Sequence, residues 1–67
     1  MKSIIKVYQI NKQKDVVDIH EAISKIEGII ACEISVTKKE IQVIYNDNIV
    51  QLDDIVESIE NLGYIVI

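Results

Sequence analysis

Residues 29–46 have the sequence "IIACEISVTKKEIQVIYN". Apolar and polar residues alternate on both sides of a short polar segment, residues 37–40. Period-two alternation is typical of half-buried strands, and two such runs around a short polar turn predict a β-hairpin. The side chains of this hairpin expected in the core are Cys32, Ile34, Val36, Ile41 and Val43, and Tyr45 is expected on the same strand face as Ile41 and Val43.

A helical pattern lies on each side of this hairpin. The apolar residues recur at spacings of three and four, which places them on one stripe of a helix. They are Val16, Ile19, Ile23 and Ile26 before the hairpin, and Leu52, Ile55, Ile59 and Leu62 after it. Gly28 and Gly63 follow the two stripes, where glycine often ends a helix. Either Asn11 or Asp15 is expected to cap the first helix.

Two further strand patterns complete the chain, residues 3–10 ("SIIKVYQI") and residues 64–67 ("YIVI"). The order β-α-β-β-α-β predicts an α+β, ferredoxin-like sandwich: a four-stranded antiparallel sheet with two helices on one face. We expect one domain over residues 1–67, with Ile5, Val7 and Val66 completing its core. The uncovered sheet face would carry Ile4, Tyr8, Ile44, Ile65 and Ile67, an apolar patch that could pair two copies as a homodimer.

The composition excludes several classes of function. The net charge is −4 and none of the seven basic residues is arginine, which argues against a nucleic-acid partner and against phosphate clamps. No catalytic grouping or glycine-rich phosphate loop is present, so an enzyme is not expected. No apolar run could span a bilayer, and a single cysteine cannot form an internal disulfide. We therefore expect a cytoplasmic protein without a membrane partner.

Residues 27–66 resemble the second half of a heavy-metal-associated domain. That family includes the small copper chaperones and the N-terminal modules of copper-transporting ATPases. The matching positions are Gly28, Ile29, Cys32, Ile34, Val36, Val43, Tyr45, Ile55, Ile59, Gly63, Tyr64 and Val66. The resemblance extends over the whole chain without gaps and implies the ferredoxin-like fold.

The family's metal loop has the motif GMTCxxC, whose two thiolates suit Cu(I) because soft sulfur selects it. Aligned without gaps, the motif falls on "QINKQKD", residues 9–15. Lys12 and Asp15 stand at the two cysteine positions, and Ile10 stands at the methionine position. Both ligands are absent, so these are vestigial positions. We expect no metal site and no cofactor, copper included.

The resemblance implies a degenerate, copper-chaperone-like domain that acts as a protein-interaction module linked to metal transport. Its partner would be a metal-transport ATPase or another such domain. The docking residues, carried over from the family's loop and first helix, would be Ile10, Asn11, Lys12, Lys14, Asp15 and Tyr64. Two alternatives stay open. One is a true metallochaperone with non-standard or dimer-shared ligands, and the other is an assembly or regulatory domain that uses the open sheet face.

Individual side chains carry narrower expectations. The Lys12 cation could imitate a bound metal and hold the loop in a liganded-like shape, although a solvated lysine is the simpler interpretation. Tyr64 is expected to pack on Ile10 and shape the loop. Cys32 is expected to serve as a small core residue, too far from the surface residue His20 to share a metal with it.

Overall fold

The computed structural model describes all of residues 1–67 and contains three strands and two helices. In chain order these are β1 (Lys2–Lys6), α1 (Gln13–Ser24), β2 (Ile29–Ser35), β3 (Glu40–Tyr45) and α2 (Leu52–Glu60). The strands form one antiparallel sheet in the order β1-β3-β2. The predicted hairpin and the α+β, ferredoxin-like arrangement are therefore confirmed, with both helices contributing buried residues to one core.

The prediction of a fourth strand is wrong. Residues 64–67 run beside β1 but share only one backbone hydrogen bond with it, from the Ile67 N–H to the Lys6 carbonyl (3.0 Å). The Ile65 N–H instead donates to the side-chain Oε1 of Gln9 (2.6 Å), so the backbone ladder is not completed. The strand-like parity survives, since Tyr64 and Val66 pack against the core while Ile65 and Ile67 are exposed.

The hairpin has the expected pairing, with Cys32 opposite Val43 and Ile34 opposite Ile41. Its register shifts once, between Ile29 and Ala31. An irregularity of this kind is typical of sheet edges, and β2 is one of the two edge strands.

Helix α1 begins at Gln13, earlier than the apolar stripe indicated, with Lys12 as its N-cap residue. A lysine side chain has no acceptor, so Lys12 cannot cap the helix through its own side chain. Neither helix runs to the glycine that follows it, because their C-caps are Lys25 and Asn61. Gly28 and Gly63 lie in the turns beyond, and both have φ of +100°.

The core lies between the sheet and the two helices. Its eleven buried residues are Ile5, Val7, Ile10, Ile19, Ile23, Ile41, Val43, Tyr45, Val50, Ile55 and Ile59. The predicted core residues Cys32, Ile34, Val36 and Val66 are only partly buried, because they lie on the edge strand β2, beside its turn or in the C-terminal segment. Leu52 and Leu62 are exposed, since one is the first residue of α2 and the other lies beyond its end.

The opposite face of the sheet is open. Ile4, Tyr8, Ile44, Ile65 and Ile67 are all exposed, as predicted. They do not form an uninterrupted patch, because Ile4 lies opposite Gln42 and the Lys6–Glu40 ion pair (3.2 Å) occupies the next outward row. Neither helix is long and apolar enough to cross a membrane.

Candidate functional site

Three connections meet at one end of the sheet: loop 7–12, hairpin turn 36–39 and C-terminal segment 61–67. The Val7 N–H donates to the Lys39 carbonyl (2.9 Å), which joins the loop to the turn. The bond between Gln9 and the Ile65 N–H joins the loop to the C-terminal segment. This end therefore contains the loop in which the resemblance predicted docking residues and vestigial metal positions.

Asp15 organises the start of α1. Its Oδ2 accepts hydrogen bonds from the backbone N–H groups of Asn11 (3.0 Å) and Lys12 (3.2 Å). It thus acts as the third residue of the helix that reaches back to the N-cap backbone, half of a capping box. Of the two predicted caps, Asp15 supplies these bonds, while the Asn11 amide turns back to the Gln9 carbonyl (3.3 Å).

The second oxygen of Asp15 binds Tyr64, which lies 49 residues further along the chain. The Tyr64 hydroxyl donates to Asp15 Oδ1 at 2.6 Å. This bond, followed by the backbone hydrogen bond from Asn11, lowers the pKa of Asp15. Burial, followed by the bond to Asp15, raises the pKa of Tyr64 to about 12. The pair therefore favours a charged carboxylate and a neutral phenol.

Lys39 is a residue of this site that the sequence did not point to. Its side chain crosses from the hairpin turn to loop 7–12 and donates to the Ile10 carbonyl and to Asn11 Oδ1 (2.7 Å). Its backbone has φ of +57°, a left-handed conformation that only Lys39 adopts among the non-glycine residues of this chain. The sequence shows only a polar turn here, so the contact is visible in the tertiary structure alone.

The other predicted docking residues differ in accessibility. Lys12 and Lys14 are exposed, and Lys14 is paired with Asp18 (2.9 Å). That hydrogen bond raises the pKa of Lys14. The Ile10 side chain is fully buried, so it packs in the core beneath the loop and is not accessible to a partner.

The sequence profile of the heavy-metal-associated domain matches residues 13–64, most of the chain. The chain belongs to the heavy-metal-associated domain family. No curated protein sequence matches it significantly. The family match thus confirms the resemblance seen in the strand and helix patterns.

Solved structures share the fold of this heavy-metal-associated domain. A CopZ metallochaperone superposes with a TM-score of 0.96 at 21% identity, with 100% of both chains covered. Apo-CopP from Helicobacter pylori gives a TM-score of 0.90 at 28% identity, again covering 100% of both chains. A yeast copper transporter domain, solved in apo and Cu(I)-loaded states, gives 0.90 at 29% identity and covers 97% of this chain and 89% of its own.

The side chains at the family's metal position do not match a thiolate site. Both oxygens of Asp15 are engaged, one by Tyr64 and the other by two backbone N–H groups, and Lys12 offers no lone pair while it is charged. No three His, Cys, Asp or Glu side chains of the chain are grouped so that they could hold a metal ion. The donor set at this loop therefore differs in kind from the soft sulfur ligands that select Cu(I).

The single thiol lies elsewhere, on β2. Cys32 is partly buried against the core, and burial raises the pKa of its thiol, which disfavours the thiolate that binds metals. Cys32 and His20 line the same depression between α1 and β2. His20 is exposed and contacts Ser24, and no third ligand side chain joins the two.

Proposed function

We propose that this heavy-metal-associated domain is a degenerate member of its family. It docks a protein of metal transport without carrying Cu(I) itself. The observation that supports this most directly concerns Asp15, which the resemblance aligns with a metal-binding cysteine of the family. Both of its carboxylate oxygens accept hydrogen bonds from groups within the chain. A loop organised in this way can keep the shape of a docking surface without the chemistry of metal transfer.

The proposed docking surface consists of loop 7–12, the start of α1 and Tyr64. Asn11, Lys12 and Lys14 would contact the partner, because their side chains are exposed. Ile10, Asp15 and Tyr64 would hold those residues in place from below and behind. The partner would be a cytoplasmic metal-binding domain of a copper-transporting ATPase or another domain of the same family, and such an interaction involves no catalytic step.

A Cu(I) titration against a competing chelator under reducing conditions tests the absence of metal transfer. The double variant Lys12→Cys, Asp15→Cys restores the family's thiolate pair and is the positive control. We expect it to bind one Cu(I) per chain and the wild type to bind orders of magnitude more weakly. Tight one-to-one binding by the wild-type monomer would contradict the proposal.

The variant Cys32→Ser tests whether the single thiol of each chain binds metal across a dimer. Binding of one Cu(I) per two wild-type chains, lost in this variant and accompanied by dimerisation, would instead support a metallochaperone with dimer-shared ligands.

Docking is tested with the soluble metal-binding domains of the copper-transporting ATPases from the same organism. Amide chemical-shift changes are expected to concentrate on residues 11–15 and the first turn of α1 in the absence of metal. Lys12→Met removes an exposed lysine of the proposed surface and is expected to weaken binding. Its matched control is Lys25→Met, which removes an exposed lysine from the other end of the same helix and is expected to leave binding unchanged. Changes confined to the open sheet face would contradict the proposed surface.

A further inference from the structure

We propose that the Lys39 ammonium is the internal cation that holds loop 7–12 in one conformation, so that the surface of the loop forms without a bound metal ion. Lys39 is thus a positioning residue rather than a contact residue. Its role in docking rests on the function proposed above, whereas its role in ordering the loop does not.

The Lys39 side chain makes two contacts with loop 7–12. Its ammonium donates to the Ile10 carbonyl and to the Asn11 side-chain oxygen, two neighbouring groups near the middle of the loop. Hydrogen bonds from a charged donor are stronger than neutral ones. Lys39 also binds the first residue of the loop, because its own carbonyl accepts the Val7 N–H. One residue therefore fixes the loop at its beginning and at its centre.

The backbone of Lys39 is an independent observation. A lysine at φ of +57° is in a conformation that glycine or asparagine adopts more easily. Backbone strain of this kind persists where the surroundings over-determine the conformation, and it is frequent at functional sites. Here the strained conformation belongs to the residue whose side chain reaches the loop, whereas a glycine would close the turn but leave the loop without a cation.

The neighbouring lysines do not share this role. The Lys12 side chain is exposed and its ammonium has no hydrogen-bond partner. We therefore assign to Lys39, and not to Lys12, the role of a cation that holds the loop in place of a metal. Lys38, in the same turn, is exposed, and only its backbone groups make hydrogen bonds. Lys39 is half-buried, which lowers the screening of its contacts by water.

Amide hydrogen exchange measured by NMR on the whole chain tests the proposal. The reporters are the N–H groups of Asn11 and Lys12, which are bonded to Asp15 when the loop is ordered. Lys39→Met removes the charge and keeps most of the stem, and we expect it to raise exchange of both amides about tenfold. Lys39→Gly also relieves the backbone strain, and we expect the same loss of protection although the turn is eased.

Lys38→Met is the matched control, and it is expected to leave loop exchange unchanged. Protection of the core amides of Ile41 and Val43 shows that each variant is folded. If the loop amides of Lys39→Gly and Lys39→Met exchange as in the wild type, the proposal is overturned. The same holds if Lys38→Met is as damaging as Lys39→Met.

Partner binding separates this inference from the proposed function. An ordered wild-type loop with no affinity for any ATPase domain would overturn the proposed function and leave the role of Lys39 in place. If the partner binds, we expect Lys39→Met to weaken binding severalfold and Lys38→Met to leave it unchanged. Equal weakening by both would show a general charge effect and overturn the positioning role of Lys39 in docking.

Discussion

At the scale of single residues, Asp15 connects two segments that are distant in the chain. The sequence resemblance aligns this residue with the second metal-binding cysteine of the family motif. Here its carboxylate joins two backbone N–H groups before α1 to the hydroxyl of Tyr64, and so connects loop 7–12 to the C-terminal segment. A carboxylate suits this role because it has acceptor sites on both oxygens. Both carboxylate oxygens of Asp15 are therefore engaged in contacts within the chain.

The pKa of each member of this pair should depend on the other. In Tyr64→Phe we expect the pKa of Asp15 to rise toward its ordinary value of 3.8, because the largest cause of its lowering is removed. In Asp15→Asn we expect the pKa of Tyr64 to fall from about 12 toward 10.0, although burial remains and keeps part of the shift. Carboxyl NMR titration and ultraviolet titration of tyrosine measure the two. An Asp15 pKa unchanged in Tyr64→Phe would show that the bond is not formed in solution.

The stability that this pair contributes should have limits at both ends of the pH scale. The lowered pKa of Asp15 gives stability that is present above pH 3.8 and is lost as the pH falls through the folded-state value. The raised pKa of Tyr64 gives stability that is present below pH 10.0 and is lost as the pH rises through about 12. Tyr64→Phe should therefore unfold less steeply with acid than the wild type when both are followed by circular dichroism. Equal acid dependence would contradict this.

At the scale of elements, the turns and the C-terminal segment depart furthest from the sequence pattern. Residues 64–67 keep strand parity, but the Gln9 side chain takes the Ile65 N–H, which a backbone ladder would otherwise use. Gly28 and Gly63 have the same φ of +100° but different surroundings. A Cβ on Gly28 would come within 2.9 Å of the Val50 side chain, whereas a Cβ on Gly63 would meet no atom within 4 Å. Gly28 is therefore required by conformation and by space, and Gly63 by conformation alone.

The two glycines form a matched pair for mutagenesis. Gly63→Ala should lower the free energy of unfolding by about 1–2 kcal/mol, the cost of a left-handed residue with a Cβ. Gly28→Ala should cost roughly 1–3 kcal/mol more, because the buried Val50 and its neighbour Ile49 must move. Urea denaturation of both variants and the wild type measures the difference. Equal losses would show that the space around Gly28 adjusts without strain.

At the scale of the whole molecule, the sheet has one covered and one open face, and charge is unevenly distributed. The helices cover the face of Ile41 and Val43, while Ile4 and Ile44 remain exposed on the other. The outward face of α2 is acidic, with Asp53, Asp54, Glu57 and Glu60 all exposed. The exposed apolar residues of the open face alternate with polar and charged ones, which weakens the case for a large homodimer interface there.

Two isoleucines of the same strand distinguish the faces. Ile41→Ala should lower the free energy of unfolding by about 2–5 kcal/mol, since it leaves a cavity in the core. Ile44→Lys should change it by less than about 1 kcal/mol, because the side chain reaches solvent. Denaturation measures the first effect, and light scattering of the wild type and Ile44→Lys tests for a sheet-face dimer. A wild-type dimer that becomes a monomer in Ile44→Lys would support the assembly function instead.

The sequence alone determined the order of the first five elements, the hairpin and the two helix stripes. These follow from local periodicity, because the side chains of a strand or helix repeat with a fixed spacing whatever packs against them. It could not determine whether residues 64–67 complete the sheet, nor that Val50 enters the core, since both depend on groups distant in the chain. The contacts of Asp15 with Tyr64 and of Lys39 with Ile10 and Asn11 likewise become visible only when the chain is folded. They join residues 49, 29 and 28 positions apart, and no local pattern encodes which polar side chains will meet when three connections converge at one end of a sheet.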